Sequence, residues 1–119
     1  MASQRRIEKI NVFLKEEIAK IVDREVEFPE GIMVTITRAA ASQDMRYATI
    51  FFSMLGGGNS EESSAVALLL RNVYHIQQAL NRVARIRPVP QIRFVHDEEE
   101  ERREGIERSL AKLKREGEL

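Results

Sequence analysis

The fold is decided by residues 61–94, which read EESSAVALLLRNVYHIQQALNRVARIRPVPQIRF. Apolar side chains recur in the first part of this stretch at alternating spacings of three and four residues, which predicts one long helix with a buried stripe. The stripe consists of Val66, Leu69, Val73, Ile76, Leu80 and Val83. Pro88 and Pro90 end the helix, because proline lacks a backbone N–H and disfavours helical geometry in the residue before it. Ile92 and Phe94 then predict a short third strand, and the neighbouring prolines favour an edge position for it.

The side of this helix opposite the stripe is cationic. At about 100° per residue, that side carries Arg71, His75, Gln78, Arg82 and Arg85. Residues 63–96 contain five arginines, of which Arg87 and Arg93 follow the helix, and no Asp or Glu. The pattern fits a helix that packs inward and presents cations to an anion, and it fits a solvated surface equally well.

An amphipathic helix is also predicted at the start of the chain. Its apolar positions are Ile7, Ile10, Leu14, Ile18 and Ile21. Ser3 can cap this helix, because its hydroxyl can accept a hydrogen bond from a free backbone N–H of the first turn. Arg5, Arg6 and Lys9 cluster at the helix start, where the positive end of the helix dipole disfavours cations. They indicate either an external anion or a frayed helix end.

Two strands are predicted between the helices. The sequence Phe28-Pro29-Glu30-Gly31 is typical of a turn, since proline presets one position and glycine relaxes the next. Apolar and polar residues then alternate over 32–38 and again over 47–54, which predicts two half-buried strands. Their short polar connection, Ser42-Gln43-Asp44, favours an antiparallel hairpin.

The remaining connections complete the predicted topology. Gly56-Gly57-Gly58 breaks the second strand, and Asn59 with Glu62 three residues later resembles a capping box that starts the long helix. The resulting order is helix, strand, strand, long helix, strand and tail. This order predicts an α+β fold, with a three-stranded sheet and helices on one face.

The net charge of zero conceals an asymmetry along the chain. Residues 1–95 hold 13 Lys/Arg and 10 Asp/Glu, whereas residues 96–119 hold 6 and 9. We therefore predict a folded domain over 1–95 and a charged tail over 96–119 that is partly helical or disordered. Within the tail, 96–104 is expected to be solvated and 105–115 to form a marginal helix. Because the charge is not uniform, its neutral total does not argue against nucleic-acid binding.

The sequence offers little for catalysis. It contains no cysteine, and its two histidines, His75 and His96, lack metal-ligand spacing. Neither a nucleophile motif nor a Walker loop is present. We predict that the protein is not an enzyme and needs no cofactor or metal. The chain also lacks a long apolar run and an apolar signal region, so we expect a cytoplasmic protein without a membrane partner.

The order and spacing of several short motifs resemble the bacterial ribosome-binding factor A family. The matching motifs are Arg6-Ile7, Pro29, Val34-Thr35-Ile36-Thr37, Ser42-x-Asp44, Ala48-x-Ile50-Phe51, Arg87-x-x-Pro90-x-Ile92-x-Phe94-x-x-Asp97 and Gly105-Ile106 with Leu110 and Leu113. The resemblance covers nearly the whole chain. It implies a type II KH-like domain with the order α-β-β-α(α)-β.

The resemblance also implies a function. Members of that family are assembly factors that bind the immature small (30S) ribosomal subunit and its 16S rRNA. They support late rRNA maturation and processing without catalysis, and they matter most in the cold. An assembly GTPase assists their release in some bacteria. We accordingly expect a monomer that binds the small ribosomal subunit and its rRNA.

Two departures from the family pattern bear on the site. The family interrupts its long helix at an Ala-x-Gly kink, whereas the aligned positions here are Asn72-Val73-Tyr74. A straight helix keeps the whole cationic face, and a bent one keeps only His75 to Arg85 together. The family's Asp-Pro-Arg before the first strand is Phe28-Pro29-Glu30 here, which removes one cation.

The predicted RNA-binding residues are arginines and one lysine, because a guanidinium can bind two phosphate oxygens at once. They are, in order of preference, Arg71, Arg82, Arg85 and Arg87, then Arg5, Arg6 and Lys9, then Arg38, Arg46 and Arg93 at strand ends. Tyr74 or His75 could stack on a base, although half-buried packing is expected for Tyr74. The acidic tail is expected to compete for these arginines. The alternative is a protein-interaction module without RNA contact.

Overall fold

The computed structural model describes residues 3–117 as four helices and three strands. They are α1 (Gln4–Glu25), β1 (Ile32–Ala41), β2 (Tyr47–Gly56), α2 (Asn59–Arg71), α3 (Val73–Val83), β3 (Gln91–His96) and α4 (Glu98–Arg115). The predicted order α-β-β-α(α)-β is confirmed for the first six elements. No helix within the described range is long and apolar enough to cross a membrane.

The sheet is mixed, with β2 in the centre. β1 pairs antiparallel with β2, which confirms the predicted hairpin, and β3 pairs parallel with the other edge of β2. A parallel neighbour requires a crossover connection, and α2 with α3 provides it. The edge position predicted for the third strand is confirmed, and Pro90 directly precedes that strand. The register between β1 and β2 shifts between Ile36 and Arg38.

The core lies between the sheet and the layer of α1, α2 and α3. β2 alternates as predicted, with Ala48, Ile50, Phe52 and Met54 buried. Facing them are buried side chains that follow the helical period of α1 and α3: Ile7, Ile10, Leu14, Ile18, Ile21, Ile76 and Leu80. Burying each large aliphatic side chain stabilises the fold by about 1.5–3 kcal/mol relative to leaving it exposed.

The long helix is interrupted at Asn72, although no glycine is present there. Asn72 has φ −95° and ψ 3°, and its side-chain amide donates a hydrogen bond to the carbonyl of Leu68 at 2.8 Å. A short polar side chain that bonds to the preceding turn competes with regular helix geometry. Of the straight and bent alternatives, the structure has the bent one, and the break that the family resemblance implies is retained with a different residue.

Two helix starts differ from the prediction. α2 begins one residue early, because the backbone N–H of Gly58, rather than of Asn59, donates to the carboxylate of Glu61 at 3.0 Å. α4 is one helix from Glu98 onward, so it begins seven residues before the helix predicted over 105–115. Asp97 caps this helix by accepting from the N–H of Glu100 at 3.2 Å. Four glutamates follow in its first turn, where the helix dipole favours negative charge.

The position of α4 also lies outside the sequence prediction. It packs mainly against β2, where the hydroxyl of the fully buried Ser53 donates to Glu104 at 3.2 Å. No described residue of α4 is buried, and Ile106 and Leu110 remain exposed. Polar contacts at its first half therefore hold α4 to the sheet.

The two ends of the sheet differ in the elements that they gather. At the end formed by the 42–46 turn, β1 ends and both β2 and β3 begin, and the N–H of Gln91 donates to the carbonyl of Arg46 at 2.8 Å. The first half of α1 lies at this end too, since the side-chain oxygen of Asn11 accepts from the N–H of Ala41 at 2.8 Å. The end of α3 leads into β3 there. The starts of α2 and α4 lie at the opposite end.

Candidate nucleic-acid interface

Eight of the ten predicted cations lie at the sheet end formed by the 42–46 turn, which we call the basic end. They are Arg5, Arg6, Lys9, Arg46, Arg82, Arg85, Arg87 and Arg93. All eight side chains belong to exposed residues. They come from the start of α1, the β1–β2 turn, the end of α3, the following loop and the start of β3. The topology therefore collects cations that are spread over almost ninety residues of sequence into one region.

The α1 contribution is an ordered helix start. The hydroxyl of Ser3 accepts from the N–H of Arg6 at 3.2 Å, which confirms the predicted cap. No acidic residue occupies the first turn, and neither Arg5, Arg6 nor Lys9 forms an ion pair within the described chain. A capped helix start does not support the frayed-end alternative. It leaves the cationic cluster at the positive end of the helix dipole, where an external anion is favoured.

The end of α3 differs from the predicted cationic face. α3 ends at Val83, so Arg85 lies in the extended loop and does not share a helix face with Arg82. Val83 is 44% exposed, so its placement in the buried stripe is wrong. Ala84 takes the buried position instead. Val83 is the last residue of α3, and the chain leaves the helix at Ala84, where it adopts an extended conformation and packs into the core.

The loop after α3 holds its arginines in different ways. The guanidinium of Arg87 donates to the carbonyls of Ala84 at 2.9 Å and Ile86 at 2.7 Å. Arg82 donates through Nε to the carbonyl of Gln78 at 3.3 Å. Neither arginine forms an ion pair within residues 3–117. The contacts orient both guanidinium groups while leaving part of their hydrogen-bonding capacity for phosphate.

Arg46 is positioned by the Ser42–Asp44 turn. The hydroxyl of Ser42 bonds to Asp44 at 2.7 Å, and the N–H of Arg46 donates to the same carboxylate oxygen at 3.1 Å. These hydrogen bonds, with that of Ser42 the largest cause, lower the pKa of Asp44 below its ordinary value. The Arg46 guanidinium lies 4.0 Å from the carboxylate. The Ser42-x-Asp44 motif thus has a structural role, since it forms the turn that carries Arg46.

The two remaining predicted cations lie away from the basic end. Arg38 contacts Asp97 at 3.7 Å, and its Cζ lies 3.6 Å from the centre of the Phe51 ring. The hydroxyl of Thr37 donates to the same Asp97 at 3.2 Å. Arg38 therefore helps to hold the start of α4 against the sheet. In the described chain it is the one predicted cation that pairs with an acid of the tail, so tail acids do not engage the basic end.

Arg71 lies at the helix break, where a second group of exposed residues is found. Arg71 ends α2, and Leu70 and Tyr74 beside it are 53% and 69% exposed. The expectation of half-buried packing for Tyr74 is therefore wrong. The rings of Tyr74 and His75 meet edge to face, with their centroids 5.8 Å apart. Periodicity predicted the exposure of Arg71 and His75, and the structure adds Leu70 and Tyr74 to the exposed residues at the break.

The described residues contain no group of three or more His, Asp or Glu side chains arranged to hold a metal ion. What they do contain is an α+β domain with a three-stranded mixed sheet, an interrupted helix and a cationic end. Its sequence carries no GxxG loop, the element with which ordinary KH domains clamp nucleotides. The architecture defines a small KH-like domain whose nucleic-acid contacts would have to come from its other surfaces.

Comparison with known proteins identifies the family. Residues 6–110 match the family model of ribosome-binding factor A. Ribosome-binding factor A of Gemmatimonas aurantiaca is 31% identical over 119 residues, which cover 99% of this chain and 81% of the relative. The crystal structure of ribosome-binding factor A from Thermus thermophilus is similar with a TM-score of 0.64 and 21% identity, covering 76% of this chain and 94% of that one.

A further match comes from a model of Thermus thermophilus ribosome-binding factor A that was fitted into a cryo-EM map of a 30S complex with that factor. It has a TM-score of 0.59 and 21% identity, and it covers 71% of this chain and 88% of that one. At such identities the solved structures support the fold alone. The family model and the sequence relative go further, and the chain belongs to the ribosome-binding factor A family.

Proposed function

We propose that this protein is a ribosome assembly factor that binds the immature small ribosomal subunit through its 16S rRNA. The observation that carries the proposal is the basic end, where eight exposed cations from five parts of the chain converge. Family membership supports the same conclusion, and a relative was placed in a 30S complex. The protein supports late maturation and processing of the rRNA without catalysis, with its greatest importance in the cold. It acts in the cytoplasm as a monomer, and an assembly GTPase assists its release.

Binding in this proposal is mainly electrostatic. Arginine forks on Arg82, Arg85 and Arg93 take phosphate oxygens, which fixes the position of the protein without reading base sequence. Arg5, Arg6 and Lys9 add the cationic start of α1 to the same surface. Affinity should then fall steeply with salt, because each phosphate contact releases condensed counterions. The helix break at Asn72, with Arg71 and Tyr74 exposed beside it, supplies a second contact region about 16 Å along α3 from the basic end.

The direct test is sedimentation of the purified protein with small, large and whole ribosomal particles at low and high salt. Salt-sensitive co-migration with the small subunit alone is the expected result. Reversal of Arg82 and Arg85 to Glu should abolish that co-migration. Retained binding of the double variant would favour the alternative, a protein-interaction module, whereas absence of wild-type binding at low salt would refute the proposal.

A further inference from the structure

The outer face of the sheet presents an exposed aromatic ring at the basic end. In β2 the side chains of Ala48, Ile50 and Phe52 are buried in the core, so Tyr47, Thr49 and Phe51 point to the opposite face. Tyr47 is 59% exposed. An isolated exposed ring needs no explanation, and what distinguishes Tyr47 is the set of groups around it.

The groups around Tyr47 are small apolar side chains and one cation. The register places Thr49 beside Ala40 on one side and Arg93 on the other. Together the surrounding residues enclose a shallow cavity of about 580 Å³ lined by Ala40, Ala41, Ser42, Tyr47, Thr49 and Arg93. The alanines add little bulk, so the side of the Tyr47 ring stays accessible. Cavities of this size hold small organic ligands.

Arg93 is oriented but retains capacity for an anion. Its Nε donates to the hydroxyl of Thr49 at 3.1 Å, which leaves the two terminal NH₂ groups of the guanidinium. It forms no ion pair among residues 3–117. The nearby Asp44 is bound by the Ser42 hydroxyl and by the N–H of Arg46. A planar fork beside an exposed ring matches the phosphate and base of one nucleotide.

Beyond the cavity, the outer face of the sheet is covered by Arg38 and α4. Arg38 lies over Phe51 and contacts Asp97, and Ser53 is fully buried where it bonds to Glu104 of α4. The accessible part of the outer face therefore contains one aromatic side chain, that of Tyr47. Its dimensions suit a single base rather than a stacked run.

We propose that this cavity, the Tyr47 site, binds one unstacked nucleotide of single-stranded RNA, with its base on the Tyr47 ring and its phosphate on Arg93. Assignment of RNA as the ligand class rests on the proposed function. The two side chains have separate roles. Stacking on Tyr47 is independent of salt to first order. The phosphate contact of Arg93 instead releases about one counterion, which steepens the dependence of log affinity on log salt.

The test uses a single-stranded oligoribonucleotide about ten nucleotides long, which matches the site sizes of proteins that stack single strands. Tyr47→Ala should weaken binding about 5- to 150-fold, the range that loss of one base–aromatic stack produces, without changing the salt slope. Tyr47→Phe should bind like wild type. Arg93→Gln should weaken binding and reduce the salt slope by about one. Met33→Ala is the matched control, because Met33 is also 59% exposed and lies on the same face at the opposite end.

A spectroscopic signal provides a second readout. The chain contains no tryptophan, so Tyr47→Trp introduces a single tryptophan whose emission can be excited apart from that of Tyr74. Its emission should be quenched by the single strand and not by the same sequence closed into a duplex. Unchanged affinity of Tyr47→Ala, or no quenching while the oligonucleotide binds, would overturn the Tyr47 site.

The two proposals fail separately. The wild type and Tyr47→Ala could bind equally well, and with the same salt dependence, to both the small subunit and the oligonucleotide. That result would refute the Tyr47 site and leave the assembly function standing. Quenching by the oligonucleotide without any small-subunit binding would support the site and refute the assembly function.

Discussion

Neutralising two arginines of the basic end should make binding to the small subunit measurably less dependent on salt. In the double variant Arg82→Gln and Arg85→Gln, eight cations become six. Each phosphate contact contributes about −0.7 to −0.9 to the slope of log affinity against log salt. If all eight cations contact phosphate, the slope is about −6 to −7, and with six it is about −4 to −5.

The difference is large enough to measure. Between 50 and 200 mM salt, a range over which such affinities change strongly, the variant should lose affinity about tenfold less than wild type does. The assay is the anisotropy of a fluorescently labelled protein titrated with purified small subunits at four salt concentrations. Glutamine is preferred to glutamate here, because it removes a contact without adding repulsion.

A control separates local contacts from net charge. Lys20→Gln with Arg24→Gln changes the net charge equally, and both side chains are well exposed, at 70% and 61%, in the half of α1 remote from the basic end. This pair should keep the wild-type slope. The reasoning is refuted if the Arg82 and Arg85 variant has the wild-type slope, or if the control flattens it to the same extent.

Three further predictions concern the fold. Ile50→Ala should lower the free energy of unfolding by about 2–5 kcal/mol in guanidinium titrations, because Ile50 is fully buried in the central strand; a loss below about 1 kcal/mol would contradict that packing. Gly56→Ala should destabilise by more than about 1 kcal/mol, since φ is +85° and a Cβ there would overlap the carbonyl oxygen of Gly31. Gly105→Ala is its control in calorimetry and should stabilise by up to about 1 kcal/mol, because nothing lies within 4 Å of a Cβ in that helix. The pKa of Asp44 measured by NMR should lie below 3.8. The stability that the ionised carboxylate contributes is then present above the unfolded-state pKa and is lost as pH falls through the folded-state pKa. A measured pKa at or above 3.8 would contradict the hydrogen bonds of the turn.

Periodicity was sufficient to predict most of the elements. The stripe from Ile7 to Ile21 is buried at every predicted position, and β2 alternates as its sequence indicates. Both patterns are local consequences of one-sided burial, so one sequence carries enough information to identify them. The hairpin and the edge position of β3 followed from turn length and from proline chemistry.

The wrong predictions concern residues whose environment depends on the folded structure and not on the local spacing of apolar residues. Periodicity continued the stripe to Val83, because nothing in the spacing shows that the chain becomes extended at Ala84 and buries that residue instead. Tyr74 was expected to be half-buried, whereas it is 69% exposed. The start of α4 could have been found, since Asp97 followed by four glutamates is a strong signal for a helix start.

The sequence was sufficient to predict a set of cations for the candidate site, but not how they are arranged in space. All ten cations were chosen from residue type and position, with the scarcity of nearby acids as an argument for Arg71, Arg82, Arg85 and Arg87, and eight of the ten lie at one end. Arg38 differs because its partner Asp97 comes from a distant part of the sequence, and only the folded sheet brings them together. Residue type alone therefore could not separate the cation that holds α4 from the cations left for a ligand.

The distribution of charge explains how a chain of zero net charge can bind a polyanion. Strand order places the starts of α2 and α4 at the end opposite the basic end, and the first turns of both helices are acidic, with Glu61, Glu62 and Glu98 to Glu101. Cations and acids are thus separated along the sheet instead of neutralising one another. Because screening limits exposed charges to about 8–10 Å in physiological salt, a phosphate at the basic end experiences mainly the nearby arginines. If the basic end binds RNA as proposed, the acidic end disfavours the reversed orientation, and the separation of charge would then also determine how the domain approaches RNA.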